Sequence, residues 1–200
     1  AAAAQNTAFE THPAAQLMPG ADGFRYIGQT LEVFLLAEKA DALYLIDQHA
    51  AHERILYNRF VASRGRQQLL VPYVVETDSR EDDAYLESIR EALGAAGFAA
   101  EHTEGGRWEF SAVPVLWRGT EADLRHDLLD RRAEPDGLLS AIAASAACRA
   151  AIKEGQTLDA DTAAQLARDA LALPVPRCPH GRPIWHELTR DDLYKAGKRL

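Results

Sequence analysis

Apolar and polar positions change their period along the chain, and the changes sort it into short strands and amphipathic helices. Phe24 to Thr30, Glu32 to Glu38 and Ala42 to Ile46 are brief, partly β-branched apolar runs between turn-like residues, which predicts three strands. From His49 onward Ile55, Leu56 and Phe60 recur at helical spacing, predicting a helix from about His49 to Ala62. A strand over Leu69 to Val75 and a helix from about Arg80 to Ala95 follow. Phe98 to His102 and Trp108 to Val115 read as a hairpin around Glu104-Gly105-Gly106. A charged helix near Glu121 to Arg132 precedes an Ala-rich one from Asp136 to about Lys153. The next helix opens at the N-cap candidate Asp159 and ends at Leu171, before Pro174. Ile184, Trp185, His186 and Leu188 read as a last strand, and Thr189 with Asp192 three residues on opens a closing helix.

Strands in runs followed by helices in runs predict an α+β fold. The expected division is a sheet-and-helix subdomain from residues 24–64 and 136–200, with a smaller α/β subdomain, 65–135, inserted in it. The join is placed at Pro135-Asp136-Gly137, where turn-forming residues precede a helix of small side chains. Residues 1–23, Ala-rich with Thr, Pro and Gln, read as a flexible linker remnant, and the chain, beginning at Ala1 rather than Met, as a fragment of a longer protein. With no basic, apolar leader and no run of about 20 apolar residues, the expectation is a cytoplasmic protein without a membrane partner.

Composition changes the picture chiefly through charge. At −8 the chain lacks the basic balance that supplies most nonspecific affinity for nucleic acid. The domain alone is expected to bind DNA weakly and to be brought to it by something else.

The candidate chemistry lies in three segments. Asp47-Gln48-His49-Ala50-Ala51-His52-Glu53-Arg54 falls at the predicted strand-to-helix junction, with Glu53 one turn after His49 so that both project from one face. Cys178-Pro179-His180-Gly181-Arg182-Pro183 and Ala147-Cys148-Arg149 hold the chain's two cysteines. A lone Asp at a strand end is more often a helix cap than a ligand, and a lone buried Cys more often a small hydrophobe. Together the segments offer carboxylate, imidazole and thiol, the donors a borderline-soft divalent ion takes.

These segments, in this order, resemble three motifs of the C-terminal domain of MutL, the DNA mismatch-repair protein, in lineages whose MutL nicks DNA. The resemblance spans the chain from about Phe24 to its end. It implies a homodimerisation subdomain with a latent, metal-dependent endonuclease site and an external regulatory subdomain. By that resemblance Asp47, His49, Glu53, Cys148, Cys178 and His180 are metal-site residues, the first three catalytic, with Gln48, Arg149 and Arg182 in support. Zinc suits the thiols and imidazoles, and manganese or magnesium suits Asp47 and Glu53. Asp47 either holds the catalytic ion or takes a proton from water. The family motif usually carries a second glutamate where this chain has Asn58, which favours the alternative of a structural zinc in a non-catalytic dimerisation and docking module.

Gln67-Gln68-Leu69-Leu70-Val71-Pro72 resembles the linear motif by which repair proteins dock on the bacterial sliding clamp, through Gln67, Leu69, Leu70 and Val71; the same residues also read as an edge strand, with Pro72 at a bulge. The implied partners are therefore a second copy of the chain, the clamp, DNA and, through the full-length protein, the mismatch-recognition protein MutS. Apolar residues near Val33, Leu35 and Tyr44 are candidates for the dimer contact.

Overall fold

The structure is a computed structural model, and it describes residues 22–199 apart from 64 and 154. The linker expected over 1–23 lies outside the described residues except for its last two positions. Two antiparallel sheets and seven α-helices, among the described residues, make an α+β fold.

The first sheet has the order β1 (Arg25–Thr30), β2 (Phe34–Lys39), β3 (Ala42–Asp47), β7 (Trp185–Thr189). The strand β7 pairs with β3 along its length, Leu45 opposite His186 and Ile46 opposite Trp185, so segments distant in sequence meet in one sheet. Alternation decides the faces. Leu35, Ala37 and Ile46 are fully buried beneath α1 (Gln48–Ala62) and α6 (Ala160–Leu171), with Ala50, Ala51, Ile55, Ala163, Ala167 and Ile184 completing that core. The opposite face carries Leu36 paired with Leu45, and Leu43 paired with Leu188. This corrects the expected dimer contact: Leu35 lies wholly inside, and Tyr44 packs into the same core with its ring stacked on Trp185.

The second sheet, in the order β4 (Arg66–Glu76), β6 (Arg107–Pro114), β5 (Ala99–Thr103), packs with α2 (Arg80–Ser88) and α3 (Arg90–Ala96) around Trp108, Phe110, Phe98 and Leu93. The expected single helix over 80–95 is two, because Ile89, at φ −99° and ψ 2°, leaves helical geometry. The charged helix is also divided, into α4 (Glu121–Arg125) and a π-helical turn over His126–Asp130. α5 (Leu138–Ala150) contributes Leu138, Ile142, Ala143 and Ala146 to this second core, and α1 contributes Phe60. α1 and α5 pack against each other and thereby join the two cores. A closing helix, α7 (Arg190–Ala196), begins with a capping box between Thr189 and Asp192, as its sequence predicts.

Candidate metal centre

Asp47 ends β3 and caps α1. Its backbone is extended, and its Oδ1 accepts the Ala50 N–H at 2.8 Å, satisfying one of the free donors of the first turn. Gln48 is buried and its amide is fully engaged: Nε2 donates to the Glu32 carbonyl at 2.9 Å and the Gln156 carbonyl at 3.1 Å, and Oε1 accepts from the Gln29 side-chain Nε2 at 2.8 Å. These two residues set the direction of α1 and fasten the segment that follows α5.

That segment meets two imidazoles. α5 stops at Ala150 rather than near Lys153, because Ala151 turns extended at φ −66° and ψ 151°. His49 Nδ1 lies 2.7 Å from the Ile152 carbonyl, and the Ile152 N–H donates to His52 Nδ1 at 3.1 Å. A carbonyl only accepts, so His49 carries its proton on Nδ1 and presents a lone pair on Nε2, the arrangement that readies an imidazole for a metal. His52 must be unprotonated at Nδ1. Burial, then repulsion from the Arg59 cation, holds its pKa below the ordinary 6.5.

Glu53 follows His49 by one turn and is 0% exposed. Neither of its carboxylate oxygens has a hydrogen-bond partner. His180 Nδ1 stands 2.9 Å from Oε1, near enough for charge attraction but without hydrogen-bond alignment. Two donor triads meet here: His49, Glu53 and Cys148 offer atoms within 4.8 Å of one another, and so do Glu53, Cys178 and His180. Glu53 is the shared member.

Packing of α5 on α1 delivers Cys148 from the last turn of α5. Cys178 and His180 come from a tight loop closed by the Arg177–Pro183 bridge. In it the Cys178 N–H donates to the Arg182 carbonyl and the Gly181 N–H to the Cys178 carbonyl, both at 2.9 Å. Gly181 adopts φ +86°, which a side chain would strain. The loop is moored to α1 where the Asp47 N–H donates to the Ile184 carbonyl at 2.8 Å. Arg182 stands by the donors: hydrogen bonding to Cys178, then attraction from Asp47 and Glu53, raises its pKa against the opposing effect of burial.

The donor set fits a divalent ion. A fully buried carboxylate without a hydrogen bond is costly unless a cation meets it, and nitrogen, sulfur and oxygen together match zinc. Asp47 belongs to neither triad. Arg149, next to Cys148, has its guanidinium on Asp127 Oδ2 and Ser145 Oγ, both at 2.8 Å, and over the Trp117 ring. Its contacts are with the second core's elements rather than with the donors. Asn58 is half-buried on α1. Reading the sequence left out the His52–Ile152 contact, whose one signal was a second histidine three residues after His49.

In the docking segment, the β4–β6 register shifts between Gln68 and Tyr73. Leu70 and Val71 project there at 104% and 77% exposure, while Gln67 and Leu69 are half-buried.

Residues 27–158 match the MutL C terminal dimerisation domain family. The chain is 41% identical over 202 residues to the DNA mismatch repair protein MutL of Treponema pallidum (strain Nichols), covering 94% of this chain and 32% of that protein. It is 38% identical over 180 residues to the MutL of Heliobacterium modesticaldum (strain ATCC 51547 / Ice1), covering 84% and 27%. The match to the MutL of Desulforudis audaxviator (strain MP104C) is 35% over 205 residues, covering 98% and 34%. An α+β domain with a clustered donor site is the class these features define. The chain belongs to the family of MutL C-terminal dimerisation domains. It spans about a third of the length of the curated relatives it matches.

Proposed function

We propose that this chain is the homodimerisation and metal-dependent DNA-nicking part of a mismatch-repair protein. The observation that carries the reading is Glu53, buried at the junction of two donor triads with neither oxygen hydrogen-bonded. Glu53 would be the carboxylate common to both donor triads if they held divalent ions. His49 Nε2, Cys148, Cys178 and His180 supply donors for zinc, and Asp47 with Glu53 the carboxylates for manganese or magnesium. A divalent ion held there supplies Lewis-acid stabilisation of the charge that develops on a phosphodiester during hydrolysis. Arg182 holds a positive charge beside the same groups, suited to an adjacent phosphate. Asp47 either joins in holding the harder ion or takes the proton of the attacking water.

The open face of the first sheet, with Leu36, Leu43, Leu45 and Leu188, is the surface for a second copy of the chain. Val71 and Leu70, lifted from the ladder beside Gln67, are presented to the sliding clamp. The clamp, and MutS acting through the full-length protein, would bring this acidic domain to DNA in the cytoplasm. No helix among the described residues is long and apolar enough to cross a membrane.

Asn58 and the thiol content favour a second reading, in which the site is a structural zinc tying the C-terminal loop to α1 and the domain only dimerises and docks. Nicking of supercoiled plasmid in manganese, with and without the clamp, separates the two. The first reading expects nicking that rises with clamp and falls by at least about a hundredfold in Asp47→Asn and Glu53→Gln. Nicking unchanged in both variants overturns the catalytic assignment, and none at all in wild type with clamp favours the structural zinc.

A further inference from the structure

The chain carries 30 acidic against 22 basic residues, so a basic side chain has acidic partners to spare. Several arginines away from the donors take them: Arg25 pairs with Glu38, Arg125 with Asp78, Arg168 with Asp22 and Arg190 with Asp41. Beside the triads, three cations are held by main-chain oxygen instead. Arg54 Nε donates to the Arg177 carbonyl, Arg177 Nη1 to the Gly181 carbonyl at 2.9 Å, and Lys153 Nζ to the Cys148 carbonyl at 3.0 Å. None of the three forms an ion pair among the described residues, so each head is located by main-chain oxygen without losing its charge. Each is also tied to a donor. Arg54 follows Glu53, Arg177 precedes Cys178, and Lys153 bonds the carbonyl of Cys148 itself. Two cations thus flank the Cys178–His180 side of the shared carboxylate and one the Cys148–His49 side. Arg177 and Lys153 are exposed, while Arg54 is half-buried and laid over Tyr57 at 5.1 Å.

We infer that Arg54, Arg177 and Lys153 form a two-sided phosphate grip that lays a duplex DNA backbone across the donor cluster. The inference rests on the nicking reading for its choice of DNA as the polyanion. In a protein of net charge −8, cations held at the rim of the donor site without an acidic partner favour a polyanion there against a surface that is acidic overall. Main-chain tethering leaves the remaining guanidinium and ammonium protons for phosphate oxygens, contacts that place a backbone without reading its sequence.

The test is fluorescence anisotropy of a labelled duplex with the dimeric domain in EDTA, across a range of salt. Arg177→Ala combined with Lys153→Ala should lower the magnitude of the log Kd against log salt slope by about 1.8, at about 0.9 per lost contact. Lys153→Ala alone, which leaves the Cys178 loop intact, should lower it by about 0.9. Arg80→Ala with Arg131→Ala, exposed cations on the second sheet's side, should leave it unchanged. An unchanged slope in the first pair, or an equal drop in the control pair, overturns the grip. A wild-type domain that shows the predicted slope changes but never nicks with manganese and clamp upholds the grip and removes the catalytic reading.

Discussion

The Nδ1 of His49 lies 2.7 Å from the carbonyl oxygen of Ile152, and that contact sets which ring nitrogen is free. It joins the first turn of α1 to the segment that leaves α5, three residues beyond the end of which sits Lys153. His52 takes the Ile152 N–H from the same helix, so both main-chain groups of one residue are held by two imidazoles. The candidate site is therefore built where helix ends and the Cys178 loop cross.

Removing the shared carboxylate should have opposite effects with and without metal. In EDTA, Glu53→Met should be more stable than wild type by about 1–3 kcal/mol, since a buried carboxylate with no hydrogen bond is gone. Added zinc should raise the Tm of wild type, by linkage, and leave Glu53→Met unmoved. Thermal unfolding in the two conditions reads both.

Protonation of His52 opposes the fold. Its pKa is lowered in the folded state, so the neutral form is favoured there. The stability it contributes is complete above the ordinary value of 6.5 and is lost as pH falls through the lowered folded value. Metal-free wild type should lose stability to denaturant over that acid window, and His52→Asn should lose less. Parallel profiles for the two proteins would contradict the assigned tautomer.

Arg149 should matter for stability more than for donor chemistry. Asp127, whose side chain is 2% exposed, relies on Arg149 and on Ser145 Oγ at 2.6 Å. Arg149→Met strands that carboxylate and should cost about 3–5 kcal/mol. Combining it with Asp127→Leu should recover most of the loss, which denaturant titration of the three proteins checks.

Docking should separate from folding. Leu70 is fully solvent-exposed, so Leu70→Ala with Gln67→Ala should change stability by less than about 0.5 kcal/mol for the leucine while abolishing binding to immobilised sliding clamp. Retained binding would reject the segment as the docking motif.

Much of this architecture was legible in the sequence because periodicity reports burial. The three opening strands, α1, the Gly105-Gly106 hairpin and the capping box at Thr189 lie close to where pattern and turn chemistry put them. The β1–β2 turn was not legible: Leu31 and Glu32 take φ 53° and 54° with no glycine or asparagine to announce it, so Glu32 read as strand. The break at Ile89 has no proline or glycine either. Among the candidate donors, His49, Glu53, Cys148, Cys178 and His180 stood out because rare residue types shared short segments, and packing brings them into two triads about Glu53. What one sequence does not encode locally is which side chains long-range packing diverts. Gln48 goes to the Gln156 loop and Arg149 to Asp127, whereas Asp47 caps its own helix, a local role that its place at a strand end already offered.

The most direct measurement is an anomalous difference map, recorded at the zinc edge, from crystals of the domain grown with zinc. The account predicts a peak bonded to a Glu53 oxygen, with the Cys178 sulfur and a His180 nitrogen as further ligands. A map with no peak at Glu53, and zinc bound only at surface carboxylates, would contradict it.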